Sequence, residues 1–560
     1  MEPSWTVPLW ILAAWMVGSL PLGAWWVRHA TGLEPRDVNP HLLGVENVFR
    51  LLGPHVAAVG FLLDVLKGAA CVAALPAPGA AAVGVLAGHL YPPPWPGDAR
   101  APRGRGNGVL VGALAALALR GAVPPAAVWV ASLAFAAALA RWRYVTPATL
   151  IGLLLALLVP GTPTLVVLAW LSLLAVRGAP ALARIADGTE ARVGAPPAVR
   201  GLRPGRVRAA FMIHPMSVPD LWQARSQRWL SGPYRRGWLP EPLLRRALRW
   251  LRPQVYGVLR GVRLPDGREL ETVLIGGPLL PDQIRSHPAE ATQMAIRGAE
   301  LAREMGAEAF GLGAYWSTVG DKGREVQAAV PDLPITHGGA YTAATVRAAI
   351  PGLLARYRAQ GGTLARTTAA VVGANGVVAF GVARALAPEV GSLLLIGRDG
   401  ARLGRSADTL RRKRPGLVVA TSTHIADVAR ADLVFTATNE PGHVIRPEHV
   451  RPGAWIYDLG RPADVSPAVR EVPGVELVPG GVVRPPGATR SQLDLHFGEG
   501  LVPACLAETM ILAATGAADR ASTGPLTRSE DVAWYLAQGE RLGFEIVTYD
   551  ARVARAPETA

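Results

Sequence analysis

The feature that most constrains this chain is a series of long apolar runs in its first third. Seven such runs lie between Val7 and Val176, separated by short loops. Several are shorter than the roughly 20 residues that cross a bilayer as a helix, so a soluble domain of buried helices is the alternative. The runs cover residues 7–27, 55–77, 79–92, 107–119, 123–140, 144–159 and 163–176.

The arginines between these runs favour a membrane domain. They occupy alternate loops, whereas the remaining loops contain only Arg120. Basic residues in every second loop are typical of the cytoplasmic side of a multi-pass membrane protein. We therefore expect an inner-membrane domain of seven transmembrane helices, with Met1 outside and everything after the last helix in the cytoplasm. The arginines are Arg28, Arg36, Arg50, Arg100, Arg103, Arg105, Arg141 and Arg143.

Composition limits the partners and metal sites of the chain. Its 560 residues allow several domains, and its formal net charge is +15. The basic residues are almost all arginine, in a chain also rich in Ala, Gly and Pro, so the charge does not indicate a nucleic-acid partner. Cys71 and Cys505 are the two cysteines, too few for a disulfide scaffold or a multi-cysteine metal site. We expect no metal and no nucleic acid.

Hydrophobic periodicity after a Gly-, Pro- and Arg-rich stretch (residues 188–205) indicates a soluble part. Alternation over residues 261–275 predicts a hairpin that turns at Pro265, Asp266 and Gly267. Helical patterns cover 287–305 and 341–359, and strands then alternate with helices to about residue 480. The predicted fold is an all-α polytopic membrane domain fused to a soluble α/β domain with a Rossmann-type, doubly wound parallel sheet.

The same patterns divide the chain into five predicted segments. In the second, arginine and tryptophan alternate over residues 223–255. This segment is expected to be a solvated helix, a helix in the headgroup region of the lipid bilayer, or a dock for an acidic acyl carrier protein. The segments are a membrane domain (1–191), a basic linker (192–255), a substrate domain (256–365), a nucleotide-binding domain (366–485) and C-terminal helices (486–560).

A glycine turn between a strand and a helix predicts the nucleotide site. Gly373, Gly376 and Ala379 have a GxxGxxA spacing, which allows a tight turn and close approach of a pyrophosphate to backbone N–H groups. A second strand follows after one helix and completes a βαβ unit. Asn375, within the turn, is also expected to contact the cofactor. The alternative is a glycine turn that binds no nucleotide.

The end of the second strand predicts which cofactor binds. Arg398 stands where an NAD-selective site usually has an acidic residue, and Arg402 follows one helical turn later. Because guanidinium groups pair with a 2′-phosphate, we expect NADPH rather than NADH. Thr438 and Asn439 end a later strand and are expected near the nicotinamide half of the cofactor.

The remaining chemical candidate is Cys505, directly after Pro503 and Ala504 at a predicted helix start. The N–H groups of a helix terminus favour a thiolate, which is the form that attacks an acyl carbonyl. A lone cysteine on an apolar helix is equally often a small buried hydrophobic residue. Cys71 lies inside an apolar run and is assigned that structural role.

Six short stretches make the second part similar to the aldehyde-forming long-chain fatty acyl-ACP reductases. The resemblance implies that Cys505 accepts the acyl chain as a thioester, which NADPH reduces to an aldehyde, with Gly373, Gly376 and Arg398 at the cofactor. Acyl carrier protein or acyl-CoA would be the acyl donor. The stretches are FGLGAYWS (310–317), THGGAYTAA (336–344), VVGANG (371–376), LLLIGRDGARL (393–403), VPGGVV (478–483) and PACLAETM (503–510).

The membrane part resembles the acyl-phosphate:glycerol-3-phosphate acyltransferases over nearly all of residues 5–191. The matching stretches are GSLPLG (18–23), GVENVFRLLG (44–53), LDVLKG (63–68), GHLYP (88–92), RGRGNGV (103–109) and ARIADGTE (183–190). Ser19 and His89 are the expected hydrogen-bonding or acid/base groups. Asn47, Arg50, Arg103 and Arg105 are expected to bind the phosphates of acyl phosphate and glycerol-3-phosphate.

Several positions depart from that family. Asn107 replaces an expected phosphate-loop lysine, and Glu46 replaces an expected threonine. Losing a cation and gaining a carboxylate both oppose phosphate binding. The sequence therefore predicts a membrane-bound acyl reductase with a weak or inactive acyltransferase domain. A true bifunctional enzyme and a non-catalytic membrane anchor are the two alternatives.

Overall fold

The computed structural model divides the chain into two compact units, Met1–Arg200 with Ala224–Trp229, and Gly201–Gln223 with Leu230–Ala560. The residues described are 6–32, 48–49, 52–93, 104–186, 192–193, 205–438, 440, 442–460, 463–524 and 527–547.

The first unit is helical, and its helices follow the seven apolar runs, the first of which breaks into two helices near Pro21. Within the described residues, four helical segments are long and apolar enough to cross a membrane: Thr6–Thr31, Pro54–Ala74, Pro125–Trp142 and Thr164–Ala183. The seven-span count stays a prediction. The helices are α1 (Thr6–Gly18), α2 (Leu22–Thr31), α3 (Pro54–Ala74), α4 (Pro78–Leu90), α5 (Asn107–Leu119), α6 (Pro125–Trp142), α7 (Val145–Ala156) and α8 (Thr164–Ala186).

The three helices below that length are α4, α5 and α7, with 13, 13 and 12 residues. At 1.5 Å per residue each is roughly 20 Å long, shorter than the roughly 30 Å hydrocarbon core of a bilayer. The apolar runs 79–92 and 144–159, each predicted to span the membrane, are longer than the helices that form there.

Glycines allow two helix pairs of this unit to pack with their backbones in contact. A Cβ atom on Gly88 of α4 would lie 2.1 Å from the carbonyl oxygen of Trp15 in α1. A Cβ on Gly112 of α5 would lie 1.9 Å from the carbonyl oxygen of Val65 in α3. Small residues at helix crossings are the usual basis of close packing in membrane proteins.

The strands of the second unit form three sheets. β1 to β5 are Arg206–Ile213, Gln254–Arg263, Glu269–Gly276, Ala309–Leu312 and Ile335–Thr336. β6 to β11 are Thr368–Val372, Ser392–Ile396, Val418–Ser422, Leu433–Thr436, Trp455–Asp458 and Glu476–Pro479. β12 to β15 are Val482–Arg484, Gly487–Ser491, Val502–Pro503 and Glu545–Ile546.

The first sheet is mixed, in the order β13-β2-β3-β1-β4-β5. β2 and β3 form the predicted hairpin, whose turn includes Gly267 at a φ of 84°. β1 lies in the centre of the sheet, parallel to β3 and β4, although it falls within the expected linker 192–255. Its residues are buried almost throughout because the sheet and its helices cover both faces.

The second sheet is the predicted Rossmann-type sheet. Its six strands are all parallel, in the order β11-β10-β9-β6-β7-β8. The order reverses at β6, and ligands of such sheets bind at the carboxyl edge beside that point. The third, smaller sheet pairs β12 with β14 and β15.

The helices of this unit cover both large sheets. The helix Ala504–Thr515 (α17) packs on β1 and β4 of the first sheet, and the helix Gly339–Ala359 (α14) packs on both α17 and the helix Val377–Leu386 (α15). They are α9 (Ser231–Arg235), α10 (Glu241–Leu248), α11 (Pro281–Ser286), α12 (Pro288–Glu304), α13 (Arg324–Ala329), α14 (Gly339–Ala359), α15 (Val377–Leu386), α16 (Gly400–Lys413), α17 (Ala504–Thr515) and α18 (Ser529–Arg541), with a left-handed turn at Val319–Lys322.

The close crossing of α3 and α5 generates a prediction for stability. Gly112→Ala should destabilise the first unit by about 1–3 kcal/mol, because the added methyl group forces the two backbones apart. Gly60→Ala is the matched control, since its Cβ would meet nothing closer than the Trp26 ring at 3.8 Å. Thermal unfolding in detergent measures both, and equal melting temperatures for the two variants would contradict the close crossing.

Candidate functional site

The glycine turn after β6 has the geometry expected of a nucleotide site. Gly373 adopts a φ of 81°, and a Cβ there would lie 2.5 Å from the carbonyl oxygen of Ala437. Gly376 directly precedes α15, and its N–H donates to the carbonyl oxygen of Gly373 at 2.7 Å. The turn therefore places the start of a helix at the carboxyl edge of the central strand, where its N–H groups suit a phosphate.

Asn375 joins this turn to the next strand. Its side-chain amide donates to the carbonyl oxygen of Asp399 at 3.1 Å, and its oxygen accepts from the Asp399 N–H at 3.0 Å. The Asp399 carboxylate in turn accepts from the N–H of Arg402 and caps α16. Asn375 thus holds the two parts of the cofactor edge together.

The two predicted 2′-phosphate arginines follow β7. Arg398 has a side chain that is 90% exposed and forms an ion pair of 2.7 Å with Glu440, which follows β9. Glu440 also lies 3.7 Å from Arg285 of α11, outside the nucleotide sheet. Because β6 lies between β7 and β9, the Arg398–Glu440 pair extends across the strand that carries the glycine turn. Arg402 is exposed at the start of α16.

Thr438 lies beside the glycine turn and is held by a buried acid. Its hydroxyl and its N–H both donate to the Asp464 carboxylate, the N–H at 2.8 Å. The hydroxyl of Thr436 donates to the same carboxylate at 2.6 Å. Asp464 was not singled out from the sequence. Asn439, expected near the nicotinamide, is outside the described residues.

Cys505 is the second residue of α17, as the sequence predicted. The N–H of the preceding Ala504 donates to the carbonyl oxygen of Gly481 at 2.8 Å, just beyond β11 of the nucleotide sheet. Gly338 approaches from the other side: its φ is 77°, and a Cβ there would lie 2.1 Å from the Cβ of Cys505. Cys505 therefore lies where the loop after the last nucleotide-sheet strand meets the loop after β5.

Burial has the largest effect on the pKa of Cys505. It raises the pKa of the thiol to about 11, and the Glu508 carboxylate acts in the same direction. The N–H groups of Leu506 and Ala314 oppose the shift but do not outweigh it. The net shift is therefore opposite to the thiolate stabilisation expected from the helix terminus alone.

Glu508, one helical turn after Cys505, is a buried carboxylate that organises the surrounding loops. It accepts hydrogen bonds from the hydroxyl of Thr336 and from the N–H of Tyr341, the latter at 2.6 Å. The hydroxyl of Thr336 accepts from the N–H of Gly338 at 3.1 Å. Burial raises the pKa of Glu508, while these hydrogen bonds oppose that shift. The network positions Gly338 against the cysteine.

Two histidines near this site have lowered pKa values. Burial lowers the pKa of His214 to about 4 and also lowers the pKa of His337. The Nε2 atom of His214 accepts from the N–H of Tyr315 at 3.3 Å, and its Nδ1 lies 3.1 Å from the carbonyl oxygen of Pro215. The His214 ring therefore holds the loop of Tyr315 in place.

Tyr315 connects the cysteine to the nucleotide edge. It follows Ala314, whose N–H faces the sulfur of Cys505 and whose φ is 45°. Burial raises the pKa of Tyr315, and the carboxylates of Glu440 and Asp464 add to the shift. The residues around Cys505 and those around Thr438 thus lie close enough to interact electrostatically.

A second polar cluster lies in the first unit, around Ser19 and His89. The Ser19 hydroxyl donates to the carbonyl oxygen of Trp15 at 2.7 Å and lies 3.4 Å from that of Gly88. The Nδ1 atom of His89 lies 3.0 Å from the ammonium group of buried Lys67. Both predicted residues are therefore buried at the α1–α4 crossing.

Lys67 and Asp64 complete this cluster and were not chosen from the sequence, although LDVLKG contains both. The Lys67 ammonium group donates to the carbonyl oxygens of Gly18 and Leu20 at 3.2 and 3.0 Å. It also pairs with Asp64 at 3.3 Å. A buried base paired with a half-buried acid in an apolar bundle marks a functional site more often than a structural one.

The expected phosphate-binding residues are described only in part. Asn47, Arg50 and Arg103 are outside the described residues. Arg105 is half-buried two residues before Asn107, which begins α5. The side-chain oxygen of Asn107, which replaces the expected lysine, accepts from the hydroxyl of Thr149 at 3.3 Å.

Comparison with known proteins supports two enzyme-like parts. Residues 354–479 match the family "Shikimate / quinate 5-dehydrogenase", so the second unit contains a dehydrogenase-like Rossmann domain of the NAD(P)-binding kind. Aminotransferase PigE of Serratia is 25% identical over 367 residues, 62% of this chain and 41% of that protein. Glutamyl-tRNA reductase of Frankia casuarinae is 31% identical over 125 residues, 20% of this chain and 25% of that protein. The chain thus spans less than half of either relative.

The membrane part has a fuller match. Residues 8–188 match the family "Glycerol-3-phosphate acyltransferase". The glycerol-3-phosphate acyltransferase of Brucella abortus is 30% identical over 195 residues, which cover 33% of this chain and 92% of that protein. Through its membrane domain, the chain therefore belongs to the glycerol-3-phosphate acyltransferase family.

Proposed function

We propose that the second unit is an NADPH-dependent reductase that converts a long-chain acyl thioester into a fatty aldehyde. The observation that carries this proposal is the position of Cys505. Its helix starts on a hydrogen bond between Ala504 and Gly481, directly after the last strand of the nucleotide sheet. A nucleophile there adjoins the edge at which dinucleotides bind. The acyl donor is acyl carrier protein or acyl-CoA.

The proposed reaction begins at the sulfur of Cys505. After loss of its proton, the sulfur attacks the acyl carbonyl carbon, the bond to the carrier sulfur breaks, and the carrier leaves as a thiol. When bound at the glycine turn, NADPH would supply the two electrons, as a hydride, that reduce the resulting thioester at its carbonyl carbon. Cleavage of the carbon–sulfur bond then releases the aldehyde and returns Cys505 as a thiolate. The acyl group is reduced by two electrons.

Backbone N–H groups around Cys505 suit the charge that develops in this reaction. The N–H groups of Ala314 and Leu506 face the sulfur. They stabilise negative charge at this position, whether on the sulfur or on a carbonyl oxygen bound beside it. They supply this stabilisation without rearrangement, because the loops are held by Glu508 and His214.

The glycine turn fits a dinucleotide, and its neighbours favour NADPH. Gly373 adopts a left-handed backbone conformation in the turn, and Gly376 is exposed directly before α15. Arg398 would pair with the 2′-phosphate, with Arg402 beside it. The Glu440 carboxylate is already paired with Arg398, so a 2′-phosphate must displace that carboxylate in order to bind the arginine. We infer that Glu440 reduces the affinity for NADPH and that Arg398 provides the preference over NADH.

The proposed topology supports this assignment. The arginine distribution predicts an inner-membrane protein whose second unit is cytoplasmic, where NADPH and acyl carriers are found. Four described helical segments are long enough to span a membrane, and the family of the first unit is that of a membrane enzyme.

Acyl transfer from acyl phosphate to glycerol-3-phosphate is the second candidate activity. Membership of the acyltransferase family and the Ser19, Lys67 and His89 cluster favour it. The loss of the lysine at Asn107 opposes it. We infer that this acyl transfer is slow: slower than in a true bifunctional enzyme, but not absent as in a non-catalytic anchor.

The role of Cys505 predicts a clear loss of activity. Cys505→Ala should reduce aldehyde formation by roughly a thousandfold or more, because no acyl-enzyme can form. Purified full-length protein, NADPH and acyl-CoA or acyl-ACP provide the assay. Cys71→Ala is the matched control and should retain full activity. Normal aldehyde formation by the Cys505 variant would overturn the proposal.

The Arg398–Glu440 pair predicts opposite effects on coenzyme use. Arg398→Ala should raise the KM for NADPH roughly ten- to a hundredfold, since a charge-assisted contact is lost. Glu440→Gln should lower that KM, because the competing carboxylate is neutralised. Neither change should alter the KM for NADH by much, and Arg412→Ala, on the exposed side of α16, serves as control. Equal shifts for both coenzymes would show that the pair is structural.

Asn107 generates the prediction for the first unit. In the full chain carrying Cys505→Ala, which leaves acyl donors unreduced, transfer from acyl phosphate to glycerol-3-phosphate should be slow. Asn107→Lys should raise it roughly tenfold or more by restoring a phosphate contact, whereas Asn107→Gln should not. Rapid lysophosphatidate formation by the chain without the lysine would refute the idea that Asn107 disabled the site.

A further inference from the structure

The helix α10 of the second unit has two apolar sides, of which one is buried. Leu244 and Leu248 pack in a cluster with Leu221 and Leu280. Leu243, on a different side of the helix, is 57% exposed. The core of the unit accounts for the first apolar side and leaves the second facing outward.

Two tryptophans extend the outward side beyond both ends of α10. Trp238 precedes the helix and is 74% exposed, and Trp250 follows it and is 82% exposed. Trp250 lies seven residues after Leu243, in the turn that directly follows the helix. Large exposed aromatic residues grouped in this way mark an interaction surface.

The arginines of this segment fall into two groups. Arg245 pairs with Glu241 and Asp282, and Arg249 pairs with Glu290, so these two face acidic residues of the unit. The arginines near the tryptophans are exposed instead, and one of them, Arg236, lies 5.4 Å from the ring centre of Trp238. The exposed arginines are Arg235, Arg236, Arg246 and Arg252.

The position of the segment in the chain indicates what covers it. Residues 187–205 separate the end of α8 from the start of β1. A chain of that length reaches at most about 65 Å, so a lipid surface is always available to the second unit. Indole rings prefer the headgroup region, and arginines are attracted to anionic lipids.

We propose that Trp238, Leu243, Arg246 and Trp250 form a membrane-contact surface that binds anionic lipid headgroups. This goes beyond the proposed reaction and does not depend on it. An acidic acyl carrier protein would match the arginines but does not account for the two protruding tryptophans flanking an exposed leucine. The lipid surface matches both.

Hydrogen exchange of the full-length protein tests this proposal in nanodiscs of phosphatidylcholine alone or mixed with phosphatidylglycerol. Peptides spanning 235–252 should exchange several-fold more slowly in the anionic discs. The α16 peptide is an internal control, because that helix is exposed and basic but lacks aromatic residues. In the double variant Trp238→Ser and Trp250→Ser, the lipid-dependent protection should be lost.

Exchange in β2 and β3 shows whether that variant remains folded. If it does not, the charge reversal Arg246→Glu replaces it and should also lose the protection. Equal exchange of 235–252 in both kinds of disc would overturn the proposal. So would protection that develops only when acyl carrier protein is added, since the surface would then bind a protein.

Discussion

The site in the second unit depends on a buried carboxylate, that of Glu508. An uncompensated carboxylate is costly to bury, so its hydrogen-bond partners must stay in place. Those partners, Thr336 and Tyr341, belong to the loop after β5 and to the start of α14. Through Thr336, the network holds Gly338 against Cys505. The helix of Cys505, α17, is in turn hydrogen-bonded to the loop after β11. One acid therefore fixes the cysteine relative to both large sheets.

Sequence patterns predicted those elements whose formation depends on residues close together in the chain. The strand and turn at Gly373, the hairpin at Gly267 and the helix start at Cys505 all follow from short-range signals of turn and helix termini. The central strand β1 was assigned to a linker, because its neighbours β3 and β4 are distant in sequence. The raised pKa of Cys505 was missed for a related reason: burial is a tertiary property that a helix-terminus argument does not contain.

The residues that sequence analysis missed are mainly acids and bases within buried environments. Glu508, Asp64 and Lys67 lie in stretches already marked as family-like, and Asp464 lies outside them, yet none belongs to a simple motif. Their roles follow from partners far along the chain, such as Thr438 for Asp464 and His89 for Lys67. Glu440 is similar, because its pairing with Arg398 requires the order of strands in the sheet.

The central claim is that Cys505 carries the acyl group, and trapping that species tests it most directly. Full-length protein is mixed with acyl-CoA or acyl-ACP without NADPH, quenched in acid and digested for mass spectrometry. The account predicts one acyl mass on the Cys505 peptide and none on Cys71. The acylation rate should keep rising with pH through the neutral and mildly alkaline range, because the thiol, whose pKa is raised to about 11, must lose its proton. An unmodified Cys505 in protein that still produces aldehyde when NADPH is added would contradict the claim.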